Sequence, residues 1–248
     1  MKLKQIEKQC ISFLSLPFHY NRKSKVLYLH DVHLDKCYAV NDHSVSIDTF
    51  LELMAAVRDS GFNLVKDINE DKGQVRLCFD DGYRGIWDCK EILIENGVFP
   101  TIFVATSLIG KENYLSKEEI QVLDSLGFSI QSHTVSHRPL SEFDITRIKE
   151  ELSSSKAILE ELIHKNIDEV CFPLGYYNEQ VLEEAKKYYR HIFLSVPGSY
   201  FDNERDNIIC RILCQDMTPC SVKLALIGGQ EVFKSHINKQ HYKFVCPK

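Results

Sequence analysis

The chain has 248 residues, 44% hydrophobic and 26% charged, the proportions of an ordinary globular protein with a sizeable core. That length suits one α/β barrel or two small domains. A net charge of -5 supplies no basic stripe for a nucleic-acid partner. The nine cysteines, an odd number scattered partly through apolar runs, argue against a disulfide framework and for a reducing, cytoplasmic compartment.

At the N-terminus, Lys2 and Lys4 precede the apolar run Cys10 to Phe18, an arrangement similar to the charged and apolar regions of a signal peptide. Ser12, Ser15 and Pro17 interrupt the run, and His19-Tyr20-Asn21-Arg22 stands where a small-residue cleavage pattern belongs. No stretch approaches the roughly 20 apolar residues of a membrane span, so no integral membrane segment is expected. Val26 to Leu29 reads as a first strand leaving into His30-Asp31-Val32-His33. From Ser46, Phe50, Leu53, Met54 and Val57 recur at helical spacing up to a stop at Gly61. Gln74 to Phe79 is a buried strand running into Asp80-Asp81-Gly82. Trp87 to Asn96 reads as a helix and Pro100 to Ala105 as a strand. Ser116 and Glu119 have capping-box spacing for the next helix.

Phe128 to Gln131 forms a strand with Ser132-His133 at its exit. A helix over Glu142 to His164 places Ile145, Ile148, Leu152, Ile158 and Leu159 inward and its charges in solvent. The strand Glu169 to Phe172 closes in Pro173-Leu174-Gly175; a helix over Glu179 to Tyr189 and strands over His191 to Val196 and Asn207 to Leu213 follow. The tail from Ser221 has no clear period. Alternating strands and helices without a linker predict parallel strands joined by crossover helices. Polar residues at the carboxyl ends of such strands line the site, and His30, Asp80, Asp81, His133 and the Pro173–Gly175 turn all fall there.

Two adjacent carboxylates on one pocket rim repel unless a cation or a shared proton separates their roles. On its own Asp-Asp-Gly is equally a common solvated turn. His133 and His137, four apart, would share one side of a helical turn, though a lone pair of that spacing is more often a surface feature. Together with one carboxylate, two imidazoles make three ligands to a zinc-like ion and leave positions for water and substrate.

Cys-Phe-Asp-Asp-Gly-Tyr (78–83), Ser-His-Thr-Val-Ser-His (132–137) and Cys-Phe-Pro-Leu-Gly-Tyr (171–176) resemble, in order and spacing, the first three motifs of the NodB-homology polysaccharide deacetylases, carbohydrate esterase family four. The resemblance covers roughly residues 25 to 215 of one domain spanning 1–248. It implies a distorted (β/α) barrel of about seven parallel strands, and a divalent metal, zinc with cobalt or nickel as alternatives. It also implies hydrolysis of an acetyl group from an acetylated amino sugar. Carried over by position, Asp81, His133 and His137 bind the metal and Asp80 is the general base. A backbone N–H near Tyr83 holds the oxyanion, while Pro173, Gly175 and Tyr176 face the substrate. The family's late Leu-x-His histidine is not matched well by His191, His236 or His241. Leu27-Tyr-Leu-His-Asp-Val32 instead resembles the first strand of the deacetylases that act on poly-N-acetylglucosamine, which makes His30 the expected acid.

Cys171 stands where the third motif usually has an arginine that pairs with the base; Arg211 could reach that carboxylate from a later strand. These departures keep a non-catalytic sugar-binding or scaffold homologue open, and the same ligands would also serve an O-acetyl esterase. Cys210, Cys214 and Cys220 lack the spacing of a second metal site. The rim loops Lys36 to Ser46 and Pro197 to Asp206 do not declare a sugar, whether polymeric, nucleotide-linked or lipid-linked.

Overall fold

The computed structural model describes residues 3–34, 43–202 and 207–243; Cys37 and parts of both rim loops, 36–42 and 203–206, lie outside them. Helix α1 (Leu3–His19) comes first, then β1 (Lys25–Leu29), the short pair β2 (Asp31–His33) and β3 (Ser44–Ser46), α2 (Ile47–Asp59), β4 (Asn63–Val65) and β5 (Gln74–Phe79). Next are α3 (Gly85–Asp88), α4 (Lys90–Glu95), β6 (Thr101–Val104), α5 (Lys117–Ser125), β7 (Ser129–Ser132) and α6 (Ile145–Ile163). The chain ends with β8 (Glu169–Cys171), α7 (Glu179–Ala185), β9 (His191–Leu194), β10 (Ile208–Cys210), β11 (Ile212–Leu213), α8 (Pro219–Leu226) and α9 (Lys234–His241).

Local chemistry sets several boundaries. Ser46 caps α2 by accepting from Thr49 N, and Ser116 with Glu119 forms the expected capping box on α5. The helix expected over Trp87 to Asn96 begins at Gly85 and breaks at Cys89. Gly85 lies so close to β2 that a Cβ there would sit 1.8 Å from the Val32 carbonyl oxygen. Helix α6 starts at Ile145 rather than Glu142, because Asp144 caps it and accepts from Arg147 N. Helix α7 stops at Ala185, short of the expected Tyr189; Tyr189 turns inward, its hydroxyl donating to the Leu152 carbonyl at 2.7 Å.

All the pairings in the large sheet are parallel, in the order β10-β9-β8-β7-β6-β5-β1-β11, with β4 alongside the start of β5. Strands β10 and β11 are two halves of one segment hinged at Arg211. One half pairs with β9 and the other with β1, so the segment joins both edges and the sheet becomes a distorted (β/α) barrel. The ring is β1, β5, β6, β7, β8, β9 and the hinged strand, seven in all. Successive side chains alternate between its faces. Leu27, Leu29, Val75, Leu77 and Phe79 pack outward in one core cluster with α2 and the other helices. Val26, Tyr28, Cys78, Phe103, Cys171, Phe193 and Ile209 fill the interior in a second. No helix among the described residues is long and apolar enough to cross a membrane.

Candidate active site

Asp80 N donates to the Leu29 carbonyl at 2.9 Å, which extends the β1–β5 ladder by one residue. Asp80 thereby takes the next inward position after Arg76 and Cys78. Its neighbour would point outward in a regular strand. Instead Asp81 (φ 72) and Gly82 (φ 80) adopt left-handed backbone, and the turn brings the second carboxylate to the same cavity. That conformation is uncommon for an aspartate; such strain, about 1–3 kcal/mol, persists only where the surroundings fix it, and clusters at functional sites.

His133 follows β7, its N–H bonded to the Val104 carbonyl at 3.0 Å. The expected helical turn to His137 is absent: residues 133–137 form a loop in which Thr134 (φ 64) and His137 (φ 57) are left-handed. The loop is held from below by α6. Glu151 of α6 accepts from Val135 N at 2.9 Å and Ser136 N at 2.8 Å, and Arg147 donates to its other oxygen at 2.8 Å. Glu151 is therefore fully buried rather than part of a solvated face, whereas Ile158, expected inward, is 40% exposed.

Asp81 Oδ1 lies 3.1 Å from His133 Nε2 and 2.8 Å from His137 Nε2. His133 Nδ1 lies 2.8 Å from the Cys171 carbonyl, which can only accept. The neutral ring therefore carries its proton on Nδ1 and turns the Nε2 lone pair towards Asp81. Burial alone would raise the Asp81 pKa, but the two imidazoles, in their protonated forms, hold it well below the carboxylate range. For His137 burial lowers the pKa and Asp81 more than reverses that. Asp81 Oδ1 is buried with no hydrogen-bond partner among the described residues, so an anion and two imidazoles converge as they would around a cation. The donor set, two nitrogens and one carboxylate oxygen, fits a divalent ion.

A second cluster of possible ligands, Asp80, His133 and Cys171, is unsuited. Both Asp80 oxygens are taken by Arg211, at 2.7 and 2.8 Å. Burial pushes the Cys171 thiol well above its ordinary value, so it stays protonated. Arg211 is buried, stacked 4.1 Å over the Tyr28 ring, and Cys171 Sγ lies 2.7 Å from its Nη2. Burial raises the Asp80 pKa, and the guanidinium more than offsets it, leaving the carboxyl below its ordinary range. Tyr28, pushed by burial to about 12, stays neutral beneath it.

Around these groups lies a cavity of about 380 Å³ lined by His30, Tyr83, Leu174, Ser195 and His241 among others. His30 Nδ1 meets Gln215 Oε1 at 2.6 Å; the amide oxygen only accepts, so Nδ1 donates. Tyr83 stacks on Tyr114 at 4.7 Å. Pro173, Gly175 and Tyr176 do not line the cavity. They shape a turn that pushes Leu174 (φ 56) towards it, and Gly175 leaves room for His241, whose Nδ1 a Cβ would approach to 2.8 Å. His241 arrives from α9 and packs edge-on against Tyr176. Burial, with Lys243 nearby, lowers its pKa. His191 lies at the other end of the barrel, 3.6 Å from Glu169, and His236 is exposed. Ser195 has the same strand-exit signal as His133, while nothing in the sequence marks Glu151 or Gln215.

Residues 67–191, half of the chain, match the family model described as polysaccharide deacetylase. The Bacillus subtilis protein YxkH, whose name places it among the polysaccharide deacetylases, is 29% identical over 131 residues. That match covers 52% of this chain and 47% of YxkH, so the chain spans about half the length of this curated relative. A polysaccharide deacetylase from Bacillus cereus superposes with a TM-score of 0.72 at 25% identity, over 83% of this chain and 69% of the other. The Streptococcus pyogenes deacetylase PplD (TM-score 0.71, 22% identity, 82% and 98% covered) and IcaB from Ammonifex degensii (0.71, 16%, 85% and 98%) share the fold.

Proposed function

Because the chain belongs to the polysaccharide deacetylase family, we propose that it is a single-domain, metal-dependent hydrolase that removes the N-acetyl group from an acetamido sugar and releases acetate. The observation that carries this reading is the convergence of Asp81, His133 and His137 beside a separately held carboxylate, Asp80. Asp81, His133 and His137 would hold a divalent ion, with zinc best suited and cobalt or nickel also compatible. When bound, the ion would polarise the acetyl carbonyl and acidify water.

Asp80, kept ionised by Arg211, takes the proton of the attacking water. His30 acts as the acid: with Nδ1 donating to Gln215, Nε2 is the atom that hands a proton to the departing amine nitrogen. His241 also borders the cavity, but burial lowers its pKa and disfavours the protonated form that a proton donor needs. The backbone N–H of Tyr83 serves the oxyanion, and Tyr83 and Leu174 border the sugar. The buried cysteines Cys78, Cys89, Cys171 and Cys214, outside any disulfide among the described residues, support a reducing compartment.

Acetate release from N-acetylglucosamine oligomers and from O-acetylated sugars of equal length tests the reaction. Release from the N-acetyl series is expected. Release from the O-acetyl series alone would make the protein an esterase, and none from either would make it a binding protein.

A further inference from the structure

We propose that α1 docks the protein on the headgroup region of an anionic lipid bilayer. Helix α1 faces the wrong way for a helix that belongs only to a globular body. It seats itself through small and polar residues: Ser12 and Ser15 are buried, Gln5 donates to the Asp216 carbonyl at 2.8 Å and Gln230 to the Ser12 hydroxyl at 3.4 Å. The approach is tight, because a Cβ on Gly228 would lie 2.0 Å from the His19 carbonyl oxygen.

The other side of the helix is apolar and open. Phe13 is 63% exposed, Leu14 71% and Phe18 85%, and Ile6 and Ile11 are also exposed. At 3.6 residues per turn these five fall within one arc of roughly 160°, in which Glu7 is the only charged residue. Exposed apolar stripes of this kind mark an interaction surface.

Charge identifies the occupant. The first 19 residues hold Lys2, Lys4 and Lys8 against Glu7, in a chain whose net charge is -5. A basic end on an acidic protein, with phenylalanines on the apolar face, suits the interface of an anionic membrane. With 17 residues the helix is about 25 Å long, and it is not apolar enough to span. It would lie in the plane of the interface. This inference does not depend on the deacetylase reading.

The test is sedimentation of the full chain with vesicles of phosphatidylcholine alone or mixed with phosphatidylglycerol. It is run beside a variant carrying Phe13→Glu, Leu14→Glu and Phe18→Glu, with circular dichroism as the check on folding. The wild type should pellet with the anionic vesicles, less so at high salt, and the folded variant should bind at least tenfold more weakly. Wild-type protein that stays in the supernatant with both vesicles would overturn the proposal, as would a variant that binds like the wild type. A light-scattering dimer that the variant dissociates, without vesicle binding, would assign the arc to a second copy instead.

Discussion

Asp80 is buried and ionised because one guanidinium occupies both of its oxygens. Removing that partner leaves a charge with neither water nor a counter-ion, which typically costs about 3–5 kcal/mol. Arg211→Met should lower stability by that amount in denaturant melts and abolish acetate release. Adding Asp80→Asn to it should restore part of the stability but none of the activity. The pairing was partly legible in the sequence. Cys171 stands where the family's arginine usually does, and Arg211 falls two residues after Ile209, which fills the barrel interior, so the same charge reaches the base from the hinged strand that closes the barrel. What the sequence could not show is that Cys171 remains in the cluster, its sulfur beside both Arg211 and Asp80.

Strands and helix starts were the readable elements, because alternation and caps are local. Val75, Leu77 and Phe79 announced β5, and Ser116 with Glu119 announced α5. Segments whose conformation depends on distant partners were not readable. The spacing of His133 and His137 suggested a helical turn, yet the loop is set by Glu151, which belongs to a helix read from its charges as solvated. His241 fits no motif in the sequence and reaches the cavity because α9 folds back against the Pro173–Gly175 turn. Glu151→Ala removes the acceptor for two backbone N–H groups and frees the histidine loop. Supporting residues of this kind tune ligand geometry, so titration calorimetry should find zinc affinity reduced about 10–100-fold. Glu151→Gln, which keeps an acceptor oxygen, should fall between it and the wild type. Unchanged affinity in Glu151→Ala would show that the loop holds its shape without this anchor.

Across the whole molecule the barrel interior is layered. Arg76, Glu169 and Thr101 form a buried ion pair and hydrogen bonds at the amino-terminal mouth. Phe103 and Phe193 pack between the two arginines, and the carboxylates and histidines occupy the opposite end. Burial raises the Glu169 pKa, but Arg76 and His191 together hold it below its ordinary value. Its contribution to stability is therefore present above the ordinary glutamate range and is lost as pH falls through its lower folded-state pKa. Glu169→Gln should cost roughly 3 kcal/mol near neutrality. The gap between the two proteins should narrow on acidification, as followed by thermal melts from neutral to acidic pH. A gap that does not change with pH would mean that Glu169 contributes by packing alone. The central claim, that Asp81, His133 and His137 hold an ion while Asp80 does the proton transfer, is tested most directly by one measurement. Acetate release from N-acetylglucosamine oligomers is followed for chelator-stripped protein, zinc-restored protein and Asp80→Asn, with bound zinc quantified in each. Stripping should abolish release and zinc should restore it, while Asp80→Asn should bind zinc and release acetate at least about 100-fold more slowly. Release that survives stripping, or protein that takes up no ion, would contradict the assignment.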